Sequence, residues 1–344
     1  MSKIRIVLTV DYEIFGNGTG DVRWCLIEPT KKILEIGDKY NIPITWMAEL
    51  CEYWAFKKEE RKGSLPSGYT PARWIEEQLI RCIETGHDVQ LHIHPQWINY
   101  AYLSTEKKWK VDLNYWKVSS LSYEEIYRIL REGKQELERL LKPFKPDYEC
   151  FVFRAGACCI QPEKHILKAL MDAGLKVDTT VSPNLCFEDK LTYCDFRGIP
   201  QQPFWFVRES LKEEAAIGIL EIPICTKRYS FYDKVYRELS RKIKHAEDSP
   251  ENCNGYVEMA PKRFSKKFLP EYYRLDICEM SDREMMVILK DAEARFGDYD
   301  LIPVVATGHS KLFNNSNNLE SFIKKALDKG YEFVTLRNII SEIL

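Results

Sequence analysis

The sequence predicts an α/β protein, a parallel sheet flanked by helices and closing into a (β/α) barrel of seven or eight units. Three observations predict it. Short apolar runs alternate with stretches of helical periodicity, the βαβα rhythm of a parallel sheet. Polar residues of catalytic type follow directly on four of the predicted strands, as they do at the C-terminal face of a barrel. The 344 residues, 45% hydrophobic and 30% charged, suffice for one barrel with insertions and a sizeable core. Residues 1–344 read as one domain, interrupted at about 223–280 by an irregular insertion rich in Tyr, Lys, Arg and Pro.

Ile6-Val7-Leu8 opens the chain as a buried strand. Pro29 suits the first turn of a helix over 29–40, and Ile42–Met47 is a second strand. Ile75, Leu79, Cys82 and Ile83 recur at helical spacing over 71–85. Gly86 ends that helix before a third strand, Val89–His94. Residues 122–141 form the clearest amphipathic helix, with Ile126, Leu130, Leu137 and Leu141 on or near one stripe and Ser122 and Glu125 spaced as a capping box. A strand at Cys150–Phe153 and a helix at 162–173, ending near Gly174, come next. Further strands fit at Leu175–Asp178, Ile217–Ile222 and Leu301–Ala306, then a helix at 318–329 and a last strand at Tyr331–Val334.

The formal net charge of −2 argues against a nucleic-acid surface, and the basic run Lys262–Lys267 reads as a solvated loop. No apolar run is long enough to span a bilayer. Met1 leads into the strand-like Ile4–Val10 without the apolar region and cleavage site of a secretory signal, so a cytoplasmic protein is expected. The 11 cysteines include no CxxC pair, and reduced thiols are expected throughout.

The most informative segment is Leu91-His92-Ile93-His94-Pro95. Residues i and i+2 of a strand face the same way, so both imidazoles are able to converge on one metal ion, and Pro95 stops the ladder there. Three other clusters sit at predicted strand ends: Thr9-Val10-Asp11-Tyr12-Glu13, Phe153-Arg154-Ala155-Gly156 and Thr307-Gly308-His309-Ser310. Singly, each has an ordinary reading as a loop cap, an ion pair or a surface residue. At four strand ends of one barrel they meet on one face. Gly16-Asn17-Gly18-Thr19-Gly20 lacks the lysine of a phosphate loop and reads as a lip beside Glu13. Cys158-Cys159 reads as packing beneath the site rather than as a nucleophile.

Taken in order from about residue 4 to 312, these motifs resemble the polysaccharide deacetylase family (NodB homology, carbohydrate esterase family 4). The resemblance implies a distorted (β/α)7-type barrel. Thr9 and Asp11 match the first and third positions of the family's Thr-Phe-Asp-Asp motif, with Val10 for the phenylalanine and Tyr12 for the second aspartate. It implies Asp11 as catalytic base and Glu13 as metal ligand, with Asp11 as the alternative ligand. Gly86-His87-Asp88 fits the lead-in to the second motif, and His92 falls on its first metal histidine. The usual second position falls on Gln96, so His94 is the substitute, as in members with a Leu-His-x-His-Pro form, while His87 belongs to the helix–strand turn. Arg154 matches the arginine that orients the base, and His309 the general acid. The segments 177–183 and 220–223 resemble site-lining stretches and add Asp178 and Glu221 as substrate contacts, with a structural role for Glu221 equally open.

The implied activity is metal-dependent removal of an N-acetyl group from a sugar or glycan intermediate. The implied cofactor is one divalent ion, zinc foremost, with cobalt, manganese and nickel as alternatives. The expected partner is an acetylated sugar or glycan, not nucleic acid; the oligomeric state is open. Trp97, Tyr100, Tyr102, Trp109, Trp116 and Trp205 fall where loops line a barrel mouth and suit sugar stacking, with core packing of half of them as the alternative, and Trp97 is an expected substrate contact. Two other readings stand beside this one. One is a cyclic-amide hydrolase of allantoinase-like type; the other is an inactive glycan-binding pseudo-deacetylase, kept open by the departures at Tyr12 and Gln96.

Overall fold

The computed structural model describes residues 3–235, 237, 253–255 and 271–343. Nine strands form the main sheet. They are β1 (Ile4–Tyr12), β2 (Thr45–Glu49), β3 (Asp88–Ile93), β4 (Val152–Ala155), β5 (Val177–Asp178), β6 (Trp205–Val207), β7 (Ile219–Glu221), β8 (Ile302–Ala306) and β9 (Glu332–Phe333). Seven of them run parallel in the order β8-β1-β2-β3-β4-β5-β7, the distorted (β/α)7-type arrangement expected. β6 adds an antiparallel edge to β7, and β9 pairs with Arg5 and Ile6 at the start of β1. Among the described residues no regular strand closes the gap between β7 and β8. Single bridges from Ile224 to Val305 and from Asp276 to Thr307 span it instead.

Eight helices accompany the strands among the described residues: α1 (Glu28–Tyr40), α2 (Leu50–Lys62), α3 (Pro71–Glu84), α4 (Tyr123–Leu141), α5 (Lys164–Asp172), α6 (Asp282–Arg295), α7 (Ser316–Asp328) and α8 (Leu336–Ile343). Both halves of the Ser122–Glu125 capping box form at α4. Three helices are absent from the sequence expectation. α2 starts on Glu49, whose side chain accepts from the Cys51 and Glu52 amides, an unusual N-cap. α6 carries a second capping box, Ser281 with Glu284. α8 follows β9 at the end of the chain.

Alternation along the strands sorts the side chains into two layers. Ile6, Leu8, Val10 and Tyr12 pack into the larger core with residues of the surrounding helices. Val7, Met47, Val152, Val177, Leu220 and Val305 form a second cluster inside the barrel, stoppered by Leu336, Ile339 and Ile340 of α8. The same alternation then carries Thr9, Asp11 and Glu13 to the interior face above that plug.

Two expectations are corrected. The described part of the 223–280 stretch is not irregular throughout, since Thr226–Tyr229 and Glu271–Arg274 pair as an antiparallel ribbon. Nor are the cysteines all reduced. Cys25 and Cys253 form a disulfide across 228 residues, a separation at which no spacing motif marks a pair, while the other nine are free thiols. The basic run Lys262–Lys267 lies outside the described residues. No described helix is long and apolar enough to cross a membrane.

Candidate active site

His92 ends the interior face of β3, and His94 continues it one residue past the strand. The Nδ1–H of His92 donates to the backbone carbonyl of Arg154 at 2.9 Å, which leaves the Nε2 lone pair facing the site. His94 is held from three sides. Its amide donates to Glu49 Oε1 at 2.6 Å, its Nδ1 faces the Gln96 side-chain amide at 2.9 Å, and Gly156 packs against its ring. Gln96, the residue that interrupts the usual histidine spacing, thus buttresses the histidine that takes its place.

Glu13 completes the set. Its Oε2 lies 2.7 Å from His94 Nε2 and 3.5 Å from His92 Nε2, all three groups being buried. Among the described residues neither imidazole Nε2 has a well-aligned hydrogen bond. Two buried, unsatisfied nitrogens aimed at one carboxylate oxygen, all within 4.8 Å of one another, make an N2O donor set that fits a divalent ion such as zinc. Tyr12, which stands at the second aspartate of the motif that the sequence resembles, points the other way. It packs edge-on against Trp46 and donates from its hydroxyl to Gln78 at 2.9 Å.

Asp11 lies outside this set, and with Glu13 and His309 it makes a second cluster of possible ligand atoms within 4.8 Å of one another. Arg154, 1% exposed, donates to Asp11 Oδ1 at 2.6 Å, to Thr9 Oγ1 at 2.8 Å and to the Thr179 carbonyl at 3.0 Å. Burial alone would raise the Asp11 carboxyl, but Arg154, with His92 and His309, outweighs it and holds the pKa down at about 2. His309 is carried past β8, where it bridges to Asp11; its Nε2 lies 3.4 Å from Asp11 Oδ2, and its Nδ1 has no hydrogen-bond partner among the described residues. Burial, helped by Lys311 and Arg274, pulls the imidazole down to about 4 against the pull of Asp11 and Glu13.

These residues line a cavity of about 450 Å³, together with Phe15, Trp116, Phe187, Leu191 and Arg274. The structure therefore brings Asp11, Glu13, His94, Arg154 and His309 to one cavity, while His92, 3.5 Å from Glu13, is not among the residues that line it. His87 stands apart at the turn before β3, where its Nδ1 accepts from the Ile44 amide at 3.1 Å.

Three expected substrate contacts are not in the cavity wall. Trp97 is 1% exposed and packs edge-on against Phe56 and Trp109, because the short 3-10 turn Pro95–Trp97 directs it back into the core. Trp116, rather than Trp97, is the tryptophan that faces the cavity. Asp178 and Glu221 are both fully buried on neighbouring strands, paired in register. Burial, then the Asp178 charge, pushes the Glu221 carboxyl well above its ordinary range. In this structure the two carboxyls face each other rather than the cavity.

Residues the motifs did not mark also matter here. Lys311 Nζ donates to Glu13 Oε1 at 2.7 Å and to the Ile14 carbonyl at 2.9 Å, fixing the carboxylate from behind. Glu49 reaches His94 from the end of β2, with burial raising its carboxyl to about 7. Position alone signalled Glu49, an acidic residue ending a strand next to β3; nothing local signalled Lys311.

No family model and no curated protein matches the sequence. The likenesses found are to the folds of solved structures. A protein from Mycobacterium smegmatis assigned as a polysaccharide deacetylase is 13% identical, with a TM-score of 0.49 over 99% of this chain and 90% of that one. A family 4 acetyl xylan esterase from Clostridium thermocellum, solved with a cobalt ion, is 11% identical, with a TM-score of 0.39 over 98% and 90%. The 4-alpha-glucanotransferase of Thermococcus litoralis is 11% identical, with a TM-score of 0.54 over 99% of this chain but 40% of the other. At such identities the last likeness speaks for the fold alone, a mixed α/β architecture around a curled parallel sheet.

Proposed function

We propose that this chain is a metal-dependent N-deacetylase of the polysaccharide deacetylase type, acting on an acetylated sugar or glycan intermediate. The observation that carries the reading is the pairing of two arrangements at one cavity: the buried Glu13–His92–His94 donor set, and Asp11 locked ionised by Arg154 beside it. The motif resemblance in the sequence supports the same reading.

Glu13, His92 and His94 would hold the ion, which when bound supplies a polarised acetyl carbonyl and a more acidic water. Zinc is the ion the donor set favours. Asp11, ionised at neutral pH, accepts the proton of the attacking water. Arg154 keeps its carboxylate oriented and charged. His309, 3.4 Å from Asp11, is placed to pass a proton on to the departing amine. Lys311 prevents Glu13 from rotating out of the set. Trp116 and Phe187 offer apolar faces on which a sugar ring packs. A cavity of this size, with so much aromatic lining, fits a sugar better than a small cyclic amide.

Acetate release from a panel of N-acetylated mono- and oligosaccharides, alongside ring opening of cyclic amides, tests the proposal. The wild-type protein loaded with zinc should release acetate, and Asp11→Asn should lower the rate by about 10²-fold or more. Ring opening without acetate release would favour the cyclic-amide reading. Sugar binding with no turnover and no bound metal would favour the pseudo-deacetylase.

A further inference from the structure

The cavity carries a cation that the proposed chemistry does not use. Arg154 is neutralised by Asp11 and Lys311 by Glu13. Arg274 has no such partner: among the described residues no carboxylate oxygen lies within 4.0 Å of its guanidinium. Its hydrogen bond goes to Cys158 Sγ at 3.3 Å, a weak acceptor, and its plane lies 5.3 Å from the Phe187 ring. The acids whose charge reaches it are engaged elsewhere: Asp276 accepts from the amides of Cys278 and Glu279, Asp11 from Arg154, and Glu279 from Arg237.

The position of Arg274 is built in. It ends the second strand of the ribbon opposite Thr226, and the next residues are tied to the barrel by Leu275 N to Cys225 O at 2.8 Å and by the Asp276–Thr307 bridge. A half-buried guanidinium, stacked on an aromatic ring and opening onto a cavity, presents a fork of donors matched to a carboxylate or phosphate. Lys190, which also lines the cavity and is also without a carboxylate partner among the described residues, adds a second positive charge. We infer that the acetylated substrate carries an anionic group, a phosphate or a carboxylate, that Arg274 binds while the acetyl group faces Asp11. This inference rests on the deacetylase reading for the identity of the sugar, and it makes Arg274 a specificity-determining residue supplied by the stretch between β7 and β8.

Calorimetric titration of the whole protein tests it without turnover. The probes are N-acetylglucosamine, N-acetylglucosamine 1-phosphate and N-acetylmuramic acid, so the neutral, phosphate and carboxylate forms are compared directly. The expected result is that one anionic form binds about tenfold or more tighter than the neutral sugar, as a charge-assisted contact implies. That preference should shrink with added salt, vanish in Arg274→Gln and return in part in Arg274→Lys. Equal wild-type affinity for all three sugars would overturn the inference, as would a preference that survives in a folded Arg274→Gln. Because no acetate need be released, the titration decides the anion preference separately from the acetate assay that decides the deacetylase reading.

Discussion

Nη1 of Arg154 lies 2.6 Å from Oδ1 of Asp11, a buried ion pair that joins the first and fourth strands across 143 residues of sequence. The pair does two things at once. It holds the proposed base ionised, and it ties β1 to β4 inside the barrel, since the same guanidinium also bonds Thr9 and Thr179.

Removing one partner strands the other charge in the interior. Arg154→Met should therefore lower unfolding stability by about 3–5 kcal/mol, measured by denaturant titration. Arg154→Met combined with Asp11→Asn should recover part of the loss, because no buried charge is left unpaired. A loss within about 0.5 kcal/mol, the range of ordinary surface substitutions, would show that the pair is not closed in solution.

Gly156 tests how tightly His94 is held. A Cβ added there would lie 2.6 Å from Nδ1 and 2.7 Å from Cε1 and Cγ of His94, closer than real contacts allow. The ring cannot retreat easily, with Gln96 on its Nδ1 and Glu13 at its Nε2. Gly156→Ala should weaken divalent-ion binding by about 10–100-fold, the scale for losing a ligand's support, in competition with a chelating dye. Unchanged affinity would mean that His94 is not a ligand.

His87 sets a pH dependence of stability. Its Nδ1 accepts the Ile44 amide, so the bonded form is neutral, and burial lowers its pKa below the ordinary 6.5 despite Asp38 nearby. In the unfolded chain the ring takes up a proton as pH falls through about 6.5, while in the folded protein it resists. Its contribution is therefore intact above that pH and is lost progressively below it, at no more than about 1.4 kcal/mol per pH unit. His87→Asn, which retains an acceptor but does not titrate, should flatten the stability profile between pH 7 and pH 5 relative to wild type. Parallel profiles would place the acid sensitivity elsewhere.

Much of this site was legible in the chain because strands impose a period of two. Asp11 and Glu13 share a face, as do His92 and His94, and the structure puts both pairs on the barrel interior. The helical stripe and capping box of α4 were equally clear. What remained hidden depended on contacts that no local pattern encodes. Trp97 follows the histidines closely, yet a single 3-10 turn decides that it enters the core while Trp116 faces the cavity. Asp178 and Glu221 sit near strand ends like Asp11 and Arg154, but their side chains meet each other across neighbouring strands. Arg274 and Cys253 lie in a stretch without barrel periodicity, and only folding brings the first to the site and the second to Cys25.

The central claim is that Glu13, His92 and His94 form a metal centre with Asp11 free beside it as the base. A crystal structure of the protein soaked with zinc tests this most directly. The ion should be found on Glu13 Oε2 and the Nε2 atoms of His92 and His94, at about 2.0–2.2 Å, with Asp11 still on Arg154 and His87 untouched. An ion ligated by Asp11 or His87, or a soaked crystal with no ion between the two histidines, would contradict the account.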